Sequence, residues 1–127
     1  MSEFSDLLGL TIKHIDGATV GSECVRFIAD NGTSYRLHHM QDCCETVELN
    51  EIIGDISDLE GSPITLAEEV SYTDEPAPDG SLPEFPDSWT WTFYKLATVK
   101  GHVTLRWLGE SNGYYSESAW FEQENIQ

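Results

Sequence analysis

An α+β fold built mostly on antiparallel sheet is what this sequence predicts, and three observations predict it. Short runs alternate apolar with polar residues and are bounded by Gly, Asn, Asp or Pro, the pattern of strands buried on one face. Asn31 and Gly32 separate two such runs, which is a hairpin signal. One segment, 51–60, instead spaces Ile52, Ile56 and Leu59 at i, i+4 and i+7, the repeat of a helix with one buried stripe. Six to eight strands and a single helix follow, within a length of 127 residues that suits one domain, 1–127, around one core.

Taken in order, Ser2 to Leu8 reads as a short helical or frayed lead-in. Gly9 to Ile15 is a strand with Leu10, Ile12 and His14 on one face, ended by the turn residues Asp16 and Gly17. The hairpin arms place Val25, Phe27 and Ala29 together, and likewise Tyr35, Leu37 and His39. Asn-Gly suits a type I′ turn, in which both central residues take positive φ. Cys43 to Leu49 continues as a strand with Val47 and Leu49 inward. Asn50 then stands as N-cap of the helix, Glu51 lies at its positive end, and Gly61 and Pro63 terminate it. Pro63 to Tyr72 returns as a strand. Residues 74–88 hold four of the five prolines and five acids, so they read as a surface loop too polar to pack. A C-terminal three-stranded meander closes the chain: 89–94, 103–107 and 115–121.

Charge is the strongest functional clue. Six Lys and Arg stand against 23 Asp and Glu, for a formal net charge of −17. From residue 37 to residue 94 there are fourteen acids and no Lys or Arg. Direct nucleic-acid binding needs a cationic face to displace counterions from phosphates, and six scattered cations do not make one. Anionic membrane surfaces are disfavoured on the same ground. Two readings of the acidity remain: it keeps a small protein soluble, or it offers a DNA-mimic-like face to a surface built for phosphates.

The three cysteines, Cys24, Cys43 and Cys44, form no spaced pairs. The start, MSEFSDLLGL, lacks a basic leader and a long apolar run, so a cytosolic site with reduced thiols is expected. His38, His39, Asp42, Cys43 and Cys44 include metal-ligating types, but adjacent cysteines point to opposite faces of a strand and no second CxxC or HxxxH completes a site. Buried thiols are the plainer reading. A cysteine nucleophile is disfavoured because Asp42 and Glu45 flank the pair and oppose thiolate formation. No GxSxG, P-loop, GxGxxG or HExxH is present, so no catalytic residue, cofactor or metal is assigned and a non-enzymatic role is expected. Trp89, Trp91, Trp107, Tyr114, Tyr115 and Trp120 read as core, or else as a concave surface where Lys95 and Arg106 supply cations for a phosphate-bearing ligand.

Several ordered segments resemble a family of small bacteriophage- and prophage-encoded proteins of unknown function. They are Gln41-Asp42-Cys43-Cys44-Glu45, Ile53-Gly54-Asp55, Asp58-Leu59, Gly61-Ser62-Pro63-Ile64 with Ala67-Glu68-Glu69, Trp91-Thr92-Phe93-Tyr94, Leu105-Arg106-Trp107, and Ser111-Asn112-Gly113-Tyr114-Tyr115-Ser116, together spanning 8 to 122. The resemblance implies a phage protein acting in the bacterial cytoplasm. Joined to the charge, it implies a stoichiometric inhibitor of a host defence system, of CRISPR or restriction type. The expected partner is a basic nucleic-acid-binding protein, contacted by Glu51, Asp55, Asp58, Glu60, Asp74, Glu75 and Asp79. The alternative is a small-molecule (nucleotide signal) or metal-binding protein using Lys95, Arg106, Tyr114 and Tyr115, with a virion structural part as a third reading.

Overall fold

The fold is described from a computed structural model, in which residues 3–39, 45–80, 82–83, 87–111 and 116–124 are placed well enough to describe. Among them run eight strands: β1 (Ile12–Asp16), β2 (Cys24–Ala29), β3 (Ser34–His38), β4 (Thr46–Ile53), β5 (Leu66–Thr73), β6 (Ser88–Thr98), β7 (Gly101–Ser111) and β8 (Trp120–Glu124). They form two antiparallel sheets, ordered β1-β2-β3-β8 and β4-β7-β6-β5. The mostly antiparallel architecture expected from the alternation is therefore present. Val25, Phe27 and Leu37 from the first sheet share one core with Leu49, Leu96, Leu105 and Trp107 from the second. Burying both inner faces against each other is what two half-apolar sheets require.

The helix expected over 51–60 is absent. Glu51, Ile52 and Ile53 instead extend β4, paired with Arg106, Leu105 and Thr104 of β7 after a bulge at Asn50, so Asn50 caps nothing. Gly54 then bends the chain away at φ 108, and a Cβ there would lie 2.4 Å from the His102 carbonyl oxygen. Only one 3-10 turn follows, Ile56–Leu59, capped by the Asp55 carboxylate, which accepts from the Ser57 N–H at 3.0 Å. Leu59 alone of the expected stripe is fully buried, while Ile52 and Ile56 pack half-buried at its edge. Two β-branched residues beside an open ladder position, followed by a tightly packed glycine, favour strand over a short helix.

Three further differences have equally local causes. In β1 the register shifts between Ile12 and His14, so Ile15 rather than His14 turns inward. The hairpin at Asn31-Gly32 is not type I′: Gly32 is left-handed at φ 88 while Asn31 is not. Its Ala29 N–H to Thr33 carbonyl closure makes a three-residue loop ending in a left-handed glycine. The expected meander is a β6–β7 hairpin only, because β8 leaves that sheet to pair with β3.

The proline-rich loop also packs. Ala77, 3% exposed, joins Trp91 and Leu108 in a small second cluster on the outer face of the second sheet, and Trp89 donates its indole N–H to the Glu75 carbonyl at 2.9 Å. The segment is polar by composition, yet one alanine and the buried Pro83 suffice to seat it on the aromatic side chains beneath.

The two long seams of the sandwich differ. At one, residues 61–64 bond to the outer edge of β1, through Gly61 N–H to Ile12 O and Ile64 N–H to Leu10 O. There Gly21 and Ser22 also exchange backbone bonds with Leu49 of β4. At the other, the edge strands β5 and β8 flank a cleft instead, plugged at its inner side by Phe4 of the 3-10 turn Phe4–Leu7.

Candidate functional site: the acidic outer face of the second sheet

Strand alternation places Glu68 and Lys95 opposite each other on the outer face of the second sheet, with Arg106, Leu108 and Glu110 along β7 and Glu48 and Glu51 along β4. Arg106 is the centre of this face. Its guanidinium lies 4.7 Å from the Trp91 ring centroid and donates to the Asn50 side-chain oxygen at 2.8 and 3.1 Å. It pairs with Glu51 at 2.8 Å and with Asp79 of the proline-rich loop at 3.1 Å. Around it lies a recess of about 350 Å³, bordered by Glu48, Asn50, Leu82, Pro83, Trp91 and Glu110. Carboxylates thus hold the arginine that a phosphate-bearing ligand would otherwise use.

The seven acids expected to form one contact surface divide into three groups. Glu51 and Asp79 meet at Arg106. Asp74 and Glu75 sit where the proline-rich loop leaves β5, and Asp74 accepts from Ser88 Oγ and the Trp89 N–H. Asp55, Asp58 and Glu60 lie at the opposite end, on and beside the 3-10 turn that packs against β6 and β7. Glu60 is committed inward: its Oε2 accepts from the Ile15 N–H at 3.0 Å and lies 3.5 Å from His14. Lys95 is exposed on β6, while Tyr114, Tyr115, Asp42, Cys43 and Cys44 fall outside the described residues.

The electrostatics of individual groups are consistent with a solvated charged surface. The Asp55 carboxyl is held below its ordinary range by hydrogen bonds from the Ser57 hydroxyl and N–H. Glu122 is likewise lowered, chiefly by its hydrogen bond from Arg36. Arg26 is raised by the Glu124 charge beside it.

A second polar centre escaped the sequence reading. His39 Nε2 lies 2.8 Å from Glu45 Oε2, with the side chains 2% and 0% exposed, and His39 Nδ1 lies 2.8 Å from the Ser118 carbonyl oxygen. A carbonyl only accepts, so Nδ1 carries a proton and a further proton lies between Nε2 and the carboxylate. Nearby, the buried Glu117 accepts from Thr90 Oγ1 at 2.9 Å and from Ser111 Oγ. Glu45 and Glu117 are both buried, and each is held by hydrogen bonds from neighbouring side chains. The signal for them was only that His39 falls on the inward face of its strand, and the chain offers nothing to say which acid meets it. Among the described residues, no three His, Cys, Asp or Glu are grouped to hold a metal ion. No helix among them is long and apolar enough to cross a membrane.

Fold and surface together define a small, strongly acidic two-sheet β protein. The chain belongs to a family defined by a domain of unknown function, DUF7448, whose model matches residues 5–121. No curated protein matches the chain, and no solved structure does.

Proposed function

We propose that this protein is a phage-encoded, non-enzymatic inhibitor that acts in the host bacterial cytoplasm. Its target is a basic, nucleic-acid-handling host protein of a CRISPR- or restriction-type defence system, bound through the acidic outer face of the second sheet. The observation that carries the reading is the excess of carboxylates there. Glu48, Glu51, Asp55, Asp58, Glu68, Asp74, Glu75, Asp79 and Glu110 lie on the face or at its ends, against Lys95, Lys100 and Arg106. The face follows β6 from Trp89 to Thr98, roughly 30 Å of strand. Its net charge is therefore about one per 5 Å, against about one per 1.7 Å for duplex DNA. That sparser spacing favours a partner that reads a few ion pairs and the intervening protein surface over one that reads a literal phosphate ladder.

A nucleotide signal or metal held near Lys95, Arg106, Tyr114 and Tyr115 is the alternative. The recess beside Arg106 supports it, and the engagement of that guanidinium by Glu51 and Asp79 weighs against it.

The test is a pull-down from host lysate at low and high salt, with the wild type beside a variant carrying D55N, E68Q and E75Q. All three positions are exposed, and Asn keeps the cap at position 55. Glu51 is left alone because it neutralises Arg106. Capture of a nucleic-acid-binding protein that salt releases, and that the variant retains poorly, is the expected result. Salt-insensitive capture, or equal capture by the variant, would remove this face from the reading.

A further inference from the structure

We propose that the open seam between β5 and β8 is a binding site for a small organic ammonium ion carrying an apolar or aromatic body, separate from the acidic outer face. The cleft measures about 410 Å³ and is bordered by Glu3, Phe4, Glu69, Trp120 and Phe121, with Ala67 and Ala119 on its walls. That is the size range of small-molecule pockets.

Three observations specify the occupant. First, the opening is lined by small residues: Ala67 and Ala119 leave open the space that larger side chains would fill between β5 and β8, whereas the opposite seam is closed by backbone hydrogen bonds. Second, the charge is of one sign. Glu69 shares the inward face of β5 with the buried Ala67, so its carboxylate enters the cleft, and Glu3 lies at the rim; among the described residues no Lys, Arg or His borders it. The Glu69 carboxyl is held above its ordinary range by partial burial, which the Tyr94 hydrogen bond only partly offsets. Such a carboxylate is incompletely solvated and gains from an approaching cation. Third, the apolar walls are aromatic: Phe4 and Phe121 border the cleft from its inner side, edge to face at 5.4 Å, and Trp120, on the other face of β8 from Phe121, borders it at the strand edge. Aromatic faces combined with carboxylates select an ammonium over a neutral molecule of the same shape.

The unpaired edges of β5 and β8 make a second copy of the chain the competing occupant, which the inward charge of Glu69 discourages. The test titrates 2-phenylethylammonium chloride and, separately, neutral 2-phenylethanol into the ¹⁵N-labelled full-length protein, following amide shifts. Saturable shifts confined to residues 3–5, 67–69 and 119–121, with the ammonium at least about tenfold tighter than the alcohol, are expected. E69Q should reduce ammonium affinity by about tenfold and leave alcohol binding unchanged. Equal binding of the two probes, shifts centred elsewhere, or no saturable shift would each overturn the proposal. So would a concentration-dependent dimer that buries the same amides. The two-probe comparison decides the matter on the wild type alone, whatever the fate of the variant. It is also independent of the lysate experiment, which addresses the opposite sheet face.

Discussion

His39 and Glu45 leave opposite sheets, from the end of β3 and the start of β4, and their side chains meet at 2.8 Å with 2% and 0% exposure. Ser118, in the connection from β7 to β8, accepts from the same imidazole. One buried ring therefore ties together the two places where the described chain passes between the sheets at this end. Removing one partner takes a charged hydrogen bond from the other in a buried setting, at a cost of about 3–5 kcal/mol. Replacing both by leucine spares that penalty. In urea unfolding, H39L and E45L are each expected to lose that much, and the double variant clearly less than their sum. Additive losses would show that the pair is not coupled.

Gly109 has no unusual φ, yet a Cβ there would lie 2.0 Å from the Glu117 carbonyl oxygen. The 116–119 segment crosses β7 at that point, held by Glu117 to Thr90 and Ser111. G109A is expected to destabilise by about 3 kcal/mol or more, since backbone must move. Gly80, left-handed at φ 87 with open space around it, should cost only about 1 kcal/mol when changed to alanine. Thermal melts of the two variants compare a close approach with a conformational preference.

Arg106 is buried while its partners Glu51 and Asp79 keep side-chain exposures of 46% and 59%. That asymmetry predicts an asymmetric response. R106M frees two carboxylates that rehydrate, and leaves a thioether against Trp91, for a loss of about 1 kcal/mol. Neutralising both acids as E51Q with D79N leaves the buried guanidinium without those two charges, and the loss should be about 3 kcal/mol. Chemical denaturation of the two variants at low salt measures the difference. An equal loss would mean the arginine is balanced by other groups.

Two pH effects follow from groups at opposite ends of the scale. Burial, and then the Glu69 charge, raise Tyr94 far above its ordinary value of 10.0. A group raised on folding stabilises fully below its unfolded pKa and loses that contribution as pH climbs above it. Stability should therefore fall above about pH 10, by up to about 1.4 kcal/mol per pH unit from this residue, and Y94F should remove that component. Asp55 and Glu122 are lowered on folding. Their contribution is present above the ordinary carboxylate range and disappears as pH falls through their depressed values, so D55N should be less sensitive to acid than the wild type. Unfolding curves across pH, variant against wild type, check both signs.

Strand positions and inward faces were legible in most strands: Val25, Phe27, Ala29, Tyr35, Leu37, Val47, Leu49, Val103, Leu105 and Trp107 are all buried as the period-two pattern requires. In β6 the same alternation misled, because Thr90, Thr92 and Tyr94 face the main core, and Trp89 and Trp91, read as core, pack with Phe93 on the outer face under the proline-rich loop. The pattern also misled where one residue broke the count. The register shift in β1 turned Ile15 inward in place of His14, and the bulge at Asn50 carried β4 through residues whose spacing matches a helix equally well. Over ten residues the two periods share too many positions for spacing to choose between them, and a vacant ladder beside β7 made the choice.

Charge was legible in full, because composition does not depend on folding. The uneven distribution of acids, the scarcity of Lys and Arg and the strand-rich character all belong to the sequence. What only the tertiary structure decided is which groups meet. Glu60 turned inward to β1, Arg106 was enclosed by Glu51 and Asp79, His39 found Glu45, and the edges of β5 and β8 stayed apart around Glu69. These are contacts between sheets and across loops, and local sequence carries no record of them. A side chain's partner is set by the packing of strands far apart in the chain, whereas its face is set by the pleat of its own strand.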